Sequence, residues 1–230
     1  MKKYVVASVL LIFSLSFFAQ NEVGTFTLTP RVGVSIANMS NMEMGFDGSG
    51  VIVNPRYKTG LAGGVEAEYQ FHRLFSASVG AFYGMQGCRY PDQETDGIVE
   101  RTGLRNYKMD AQYIHTPLLV HACIAKGLAV KAGIDMSFLL AAKVKGESTV
   151  ITVGEDGSKR YNETEVINQN WKNTFRSVNV SIPVGVSYEY MNVVLDARYH
   201  IPLTNVFKES ILNEKHQYWT FTLGYKFTIL

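Results

Sequence analysis

The sequence predicts an all-β protein, an eight-stranded antiparallel up-and-down transmembrane β-barrel. Three observations predict this fold class. Apolar and polar residues alternate one by one in eight segments, as they do in strands with two chemically different faces. Short turns and long polar loops connect these segments in alternation, as in an up-and-down barrel. The apolar face of the segments carries no charged residue, whereas the polar face is rich in Gly and Ser.

The composition limits the classes of function. The chain has 230 residues, of which 47% are hydrophobic and 18% charged, and this suits one large β domain. The net charge of +2 gives no electrostatic reason to expect nucleic acid as a partner. Two cysteines are too few for a disulfide scaffold.

Residues 1–19 are predicted to be a secretory signal peptide, and residues 20–230 the outer-membrane β-barrel domain. Lys2 and Lys3 form a charged start, and an apolar stretch follows from Tyr4 to Phe18. That stretch is shorter than the roughly 20 residues of a membrane-spanning helix and is followed by polar residues. We place cleavage after Ala19. The alternative interpretation is an N-terminal anchor helix.

The first four predicted strands have an apolar face and a polar face. In the first of them, Leu28 and Val32 lie on one face, whereas Thr29 and Arg31 lie on the other. The fourth alternates more loosely, with Pro117 on its polar face. The predicted ranges are Thr25–Ala37, Leu61–Phe71, Phe75–Gln86 and Met109–Ala122.

The last four predicted strands repeat the pattern. In the fifth strand, Val130 and Ile134 lie opposite Lys131 and Asp135, and in the eighth Trp219 belongs to an apolar face with three further aromatic residues. The predicted ranges are Leu128–Leu140, Ser177–Tyr188, Val193–Ile201 and Tyr218–Phe227.

The connections predict which ends of the strands lie together. Three tight turns of about two or three residues are typical of hairpins: His72–Arg73, Ala125–Gly127 and Tyr190–Asn192. The long polar stretches between them are predicted loops: Asn38–Tyr57, Cys88–Lys108, Lys143–Phe175 and Pro202–Gln217. This arrangement places both termini and the turns in the periplasm, and four loops outside the cell.

Alternation alone does not say which face points outward, since a soluble lipocalin-like barrel buries its apolar face. Small residues on the polar face suit a cramped interior, and the uncharged apolar face suits lipid, where a Lys or Arg costs about 2–4 kcal/mol. Aromatic residues also gather at the strand ends, as in the two girdles of a membrane barrel. Those toward the turns are Phe26, Tyr69, Phe71, Phe75, Tyr188, Tyr225 and Phe227, and those toward the loops are Tyr83, Phe138, Tyr199 and Trp219.

Four segments carry a resemblance to a known family: residues 113–120 (YIHTPLLV), 132–140 (AGIDMSFLL), 183–188 (PVGVSY) and 197–206 (ARYHIPLTNV). They resemble the PorT-like outer-membrane β-barrel family of Bacteroidota. The resemblance implies an eight-stranded barrel in the bacterial outer membrane; the founding member is associated with protein secretion. It implies no catalytic residue. The chain departs from the family at Pro202 and Ile134, and it runs past the aromatic Phe227 to Leu230.

Nine charged residues are predicted to point into the barrel: Arg31, Glu66, Glu68, Lys131, Asp135, Glu189, Asp196, Arg198 and Lys226. Glu66 and Glu68 could serve as a carboxylate pair for acid–base chemistry or a metal ion. We favour a structural role, because an eight-stranded barrel is just wide enough for side chains to fill it, and buried charges must then pair with opposite charges.

The histidines and serines suggest chemistry only weakly. His115 and His121 are about 20 Å apart along one strand, too far to share a metal ion. His200 lies near the loop end beside Asp196 and Arg198, where a membrane-embedded lipid hydrolase could place its base, but no Ser has a defined spacing to it. We therefore expect no catalytic residue, no metal site and no cofactor.

Two loop segments and the two cysteines are the remaining features of the sequence that could carry a function. The glycine-rich run Gly45–Gly50 lacks the Lys and helix of a phosphate-binding loop and is expected to be a flexible loop. Ser148–Val153 is expected to extend as a hairpin above the membrane, where an exposed strand can pair with a partner. Cys88 and Cys123 are predicted at opposite ends of the barrel, beyond the roughly 7 Å limit for a disulfide.

The sequence therefore predicts a non-enzymatic outer-membrane barrel with a structural, interaction or secretion-accessory role carried by its extracellular loops. The expected partners are outer-membrane lipids and a protein that contacts the loops, with no nucleic acid. Two alternatives remain: a narrow, porin-like channel for small solutes, and a membrane-embedded lipid-modifying hydrolase. Eight strands leave no wide aqueous channel, so a general porin is disfavoured.

Overall fold

The computed structural model describes residues 22–45, 52–95, 100–209 and 213–230. The predicted signal peptide therefore lies outside the described residues, and so do residues 46–50 of the glycine-rich run. No helix among the described residues is long and apolar enough to span a membrane.

Eight antiparallel strands, β1 to β8, form a closed barrel, as predicted. Consecutive strands pair with each other, and β1 closes the ring by pairing with β8 from Arg31 opposite Gly224 to Ser40 opposite Lys215. The strands are β1 Phe26–Ser40, β2 Arg56–His72, β3 Phe75–Arg89, β4 Glu100–Ala125, β5 Leu128–Val153, β6 Val178–Tyr190, β7 Val193–Pro202 and β8 Lys215–Tyr225. The shorter segments Met44–Gly45, Ile52–Val53 and Gln93–Glu94, together with the strand Lys159–Asn170, lie outside the ring, whereas Phe227–Thr228 pairs with β1.

The orientation of the two faces is the one that the sequence predicts. Along β1 the side chains of Thr27, Thr29 and Arg31 are buried, whereas Val32 is 70% exposed. Every barrel strand presents apolar side chains on its outer surface, where lipid replaces the core of a soluble protein.

Two of the three predicted turns are found, and one is displaced by a residue. The turns Lys126–Gly127 and Met191–Asn192 connect β4 to β5 and β6 to β7. The first turn is Arg73–Leu74 rather than His72–Arg73, because His72 still pairs with Phe75.

The predictions of loops at Cys88–Lys108 and Lys143–Phe175 are wrong, because strands make up much of both segments. β4 begins at Glu100 and β5 ends at Val153, so each has 26 residues. The strand Lys159–Asn170 then returns along β5. Above the membrane both faces of a sheet contact water, so these strands lack the alternation that marks a strand inside the bilayer.

The C-terminal strand also differs from the prediction. β8 ends at Tyr225 instead of Phe227, and Lys226 interrupts the sheet by donating its backbone N–H to the carbonyl oxygen of Asn192 (2.7 Å). The segment Phe227–Thr228 then pairs with the first residues of β1. The end of the chain thus completes the seam of the barrel at the turn side.

Candidate functional site

A network of ion pairs fills the middle of the barrel. Arg31 on β1 contacts Glu66 on β2 (2.7 Å) and Asp196 on β7 (2.8 Å). Lys131 on β5 reaches the same Asp196 at 2.6 Å. Arg198 contacts both carboxylates. Five charged side chains from four strands therefore meet in a space that water hardly reaches, as the structural interpretation predicted.

A second group of charges lies nearer the turns. Lys226 contacts Glu189 at 2.6 Å and Glu68 at 3.4 Å, and Ser76 donates a hydrogen bond to Glu68. Glu66 and Glu68 are thus held by different cations, although they follow each other on one face of β2. Among the described residues, no group of three or more His, Cys, Asp or Glu side chains is arranged to hold a metal ion.

The histidines divide between two neighbourhoods. His115 Nδ1 lies 2.9 Å from Asp135 Oδ2, and the phenol of Tyr218 lies 3.2 Å from the same oxygen. His200 stacks on the Tyr218 ring with 4.1 Å between ring centroids. A cavity of about 40 Å³ adjoins this group, which is room for a few water molecules but not for a lipid chain.

His121 takes part in an arrangement that sequence spacing did not indicate. Its Nε2 lies 2.8 Å from the hydroxyl of Ser78, and its Nδ1 lies 3.5 Å from Glu68 Oε1. Ser, His and carboxylate follow in the order of an acyl-transfer site. However, Ser78 and His121 are each only 2% exposed, and a nucleophile must reach its substrate.

The outer half of the interior is largely apolar, although Gln86 and His216 are also buried there and hydrogen-bond to each other. Thirteen buried residues form one cluster there, which includes Met39, Tyr113 and Phe175. Together with the ion pairs below it, this cluster fills the lumen along the described strands.

Both cysteines are free, as predicted. Cys88 is buried in the apolar cluster at the loop side. Cys123 lies near the turn between β4 and β5, at the other end of the barrel. Their separation agrees with the predicted strand register.

An outer sheet extends the barrel on the loop side. It consists of the segment Gln93–Glu94, the first residues of β4, the last residues of β5 and the strand Lys159–Asn170. Ser148–Val153 lies in this sheet as predicted, but β4 covers one side of it and Lys159–Asn170 the other. The expectation that it is the exposed strand is therefore wrong.

The exposed edge is the strand Lys159–Asn170 itself. In the described part of the chain it pairs with β5 alone. All of its residues are exposed except Ile167, which packs against the apolar cluster and anchors the strand to the barrel. Val166 is 73% exposed and Tyr161 57% exposed. This edge offers backbone N–H and carbonyl groups to another chain.

A groove lies on one face of the outer sheet. It has a volume of about 460 Å³ and is lined by residues that include Glu94, Arg105 and Tyr161. Glu94 accepts hydrogen bonds from Lys159 (2.6 Å) and Arg101 (3.2 Å), and so ties the segment Gln93–Glu94 to the edge strand.

A closed ring of strands with an apolar outer surface, short turns at one end and extensions at the other is the architecture of outer-membrane barrels. The family model described as "Outer membrane protein beta-barrel domain" matches residues 18–208. The chain belongs to this family. Membership places the chain in the bacterial outer membrane.

Solved structures of similar fold come from several bacteria. Ail, the attachment invasion locus protein of Yersinia pestis, is 14% identical over 90% of this chain and 100% of its own, with a TM-score of 0.41. Neisserial surface protein A is 15% identical over 88% and 97%, with a TM-score of 0.42. OprG, an outer membrane protein of Pseudomonas aeruginosa, is 10% identical over 92% and 100%, with a TM-score of 0.34. No curated protein matches the sequence.

Proposed function

We propose that the protein is a non-enzymatic outer-membrane barrel that binds a protein partner at the cell surface through its outer sheet. The observation that carries this proposal is the strand Lys159–Asn170, whose 12 residues form an exposed edge. An extended segment of a partner can add to such an edge through main-chain hydrogen bonds, with side chains giving specificity.

The interior supports a role without transport or catalysis. The ion pairs around Arg31 and the apolar cluster around Tyr113 occupy successive levels of the lumen, which disfavours the narrow channel. The buried position of Ser78 and His121 disfavours a lipid hydrolase. The charges of the interior instead serve to stabilise the barrel.

The sequence supports a narrower assignment within the outer-membrane barrel family. Within the family we assign the chain to the PorT-like proteins of Bacteroidota, on the four segments that resemble them, and we propose a secretion-accessory role as one form of the interaction. Residues 1–19 would act as the cleaved signal peptide. The mass of the N-terminal peptide of the mature protein tests that cleavage.

Photo-crosslinking in intact cells tests the interaction. A photoreactive amino acid replaces Tyr161, which is exposed on the edge strand, and adducts are identified by mass spectrometry. We expect a discrete protein adduct. Val166→Lys should abolish it, because a lysine on an edge strand opposes strand addition.

Val150→Lys is the matched control, since it makes the same change on β5, which has neighbours on both sides. That variant should keep the adduct. Equal crosslinking in the Val166→Lys and Val150→Lys variants would exclude the edge strand as the binding site.

A further inference from the structure

Four basic residues stand side by side on neighbouring strands of the barrel wall. Arg56 on β2 pairs in register with Arg89 on β3, Arg89 with Lys108 on β4, and Lys108 with Lys145 on β5. Residues paired in register share a face of the sheet. Val144, next to Lys145, is buried in the lumen, so this row faces away from the barrel axis.

Few acidic residues neutralise the positive charge of this row. Asp110, one step nearer the membrane, contacts Lys58 and also Lys145 (3.4 Å). It lies in register with Lys143, a further exposed basic residue. In the described ranges, no carboxylate forms an ion pair with Arg56, Arg89, Lys108 or Lys143. Like charges directly opposite each other in a sheet are destabilising, so the row is suited to external anions.

The height of the row indicates which anions it can meet. Arg89 lies six residues beyond Tyr83 of the outer aromatic girdle. At the usual rise and tilt of barrel strands, six residues climb about 15 Å. The headgroup layer of a phospholipid bilayer is only about 5–8 Å thick on each side. Phospholipid headgroups therefore end below the row, whereas the phosphorylated sugars of an outer-leaflet glycolipid extend to it.

We propose that Arg56, Arg89, Lys108 and Lys143, together with Lys145, bind the phosphate groups of an outer-leaflet glycolipid on the outside of the barrel wall. The site uses β2 to β5 and adjoins the base of the outer sheet, where Lys143 and Lys145 pair with Asn170 and Asn168. It depends on the outer-membrane location and not on the partner of the edge strand, so the crosslinking experiment above can fail without affecting it.

Lipid binding by the folded full-length chain tests the site. The protein is refolded in zwitterionic detergent, and binding of a lipopolysaccharide with phosphorylated inner-core sugars is followed by native mass spectrometry, with the chemically dephosphorylated lipid alongside. We expect the phosphorylated lipid to bind and the dephosphorylated lipid to bind weakly. Binding should also weaken as salt is raised, because exposed charges are screened.

The variant Arg56→Gln/Arg89→Gln/Lys108→Gln/Lys143→Gln should bind the phosphorylated lipid at least about tenfold more weakly. The control Arg160→Gln/Lys172→Gln/Arg176→Gln/Lys208→Gln removes the same charge from exposed positions elsewhere, and should bind like the natural protein. If the fourfold variant fails to fold, Arg56→Gln/Arg89→Gln replaces it.

A stability measurement separates lipid binding from a merely structural role. Without anionic lipid, removal of like charges should leave the unfolding midpoint in urea unchanged or raised. With the core-phosphorylated lipopolysaccharide present, the natural protein should gain stability and the variant should not. Equal binding of both lipids, or equal binding by variant and control, would refute the site.

Discussion

Arg31 shows how charged residues are accommodated inside the barrel. Its guanidinium lies between Glu66 and Asp196, and all three side chains are buried. Each of the two carboxylates also contacts other cations, so neither depends on Arg31 alone. Removing one partner from such a network takes hydrogen-bonding contacts away from buried charged groups in a medium that solvates them poorly, and water cannot replace those contacts.

Replacing Arg31 with Met should therefore lower the free energy of unfolding by about 3 kcal/mol, because Glu66 and Asp196 both lose a buried contact that water cannot replace. Urea titration in lipid vesicles, followed by tryptophan fluorescence, measures the change. Arg160→Met, on the exposed edge strand, should change the stability little. If Arg31→Met were as stable as Arg160→Met, the interior network would not hold the barrel together.

Glu94 gives a pH-dependent contact outside the membrane. Hydrogen bonds from Lys159 and then Arg101 lower the pKa of its carboxyl group below the ordinary 4.5. Because the pKa is lower in the folded protein, the contact contributes stability above the unfolded pKa and loses it as the pH falls through the folded pKa. An NMR titration of the Glu94 carboxyl carbon should show a midpoint below 4.5.

Lys159→Gln is the variant to compare, since it removes the first of these donors. It should move the midpoint of Glu94 upward. A midpoint that is the same in both proteins would mean that Glu94 does not tie the segment Gln93–Glu94 to the edge strand in solution.

The turn between β6 and β7 shows how an element is constrained by backbone geometry. Met191 and Asn192 both have positive φ angles, 47° and 66°, as two-residue hairpin turns with the twist of the strands require. Asn tolerates this conformation, whereas Met adopts it at a cost. Met191 is 77% exposed, so its side chain contributes little packing.

Met191→Gly should thus stabilise the barrel by about 0.5–1 kcal/mol, since Gly adopts a positive φ without strain. Met191→Val should destabilise it, because a β-branched residue is poorly suited to that region. Urea unfolding of the two variants under identical conditions gives the comparison. A less stable Gly variant would contradict the turn geometry.

The elements that contact lipid could be predicted from the sequence, and those above it could not. All eight segments with alternating residues are barrel strands. β4 and β5 continue into the outer sheet, where polar residues occupy both faces and the alternation fades, although Leu104 and Ile151 are buried. For that reason the sequence indicated Ser148–Val153 as the exposed strand, while the true edge, Lys159–Asn170, was predicted as loop.

The inward direction of the charges could be predicted as well, but their partners could not. Because side chains along β2 alternate between the two faces of the sheet, the position of Glu66 places it in the lumen. Its contacts with Arg31 and Arg198, 35 and 132 residues away, depend on how the strands are staggered around the ring. The His121 neighbourhood was missed for the same reason, because Ser78 and Glu68 come from two other strands.

The whole molecule has three surfaces, each in a different environment. Its wall faces lipid, its outer sheet faces water, and its lumen is filled by its own side chains. Two groups of side chains occupy the lumen: the ion pairs in the middle and the apolar cluster at the outer end. The proposed partner at the sheet edge and the proposed anionic lipid at the basic row would both bind from outside this filled barrel, and neither requires it to open.

A filled lumen predicts that the barrel does not conduct ions. In planar lipid bilayers at neutral pH the purified protein should give no unitary current steps, because hydrated ions would have to cross both the ion-pair network and the apolar cluster. Eight-stranded barrels have an interior about as wide as the side chains that fill it. A known porin in the same bilayers verifies the recording, and a heat-modified gel band verifies that the barrel is folded. Reproducible current steps that persist in several independent preparations would overturn the closed barrel and restore the channel as the function.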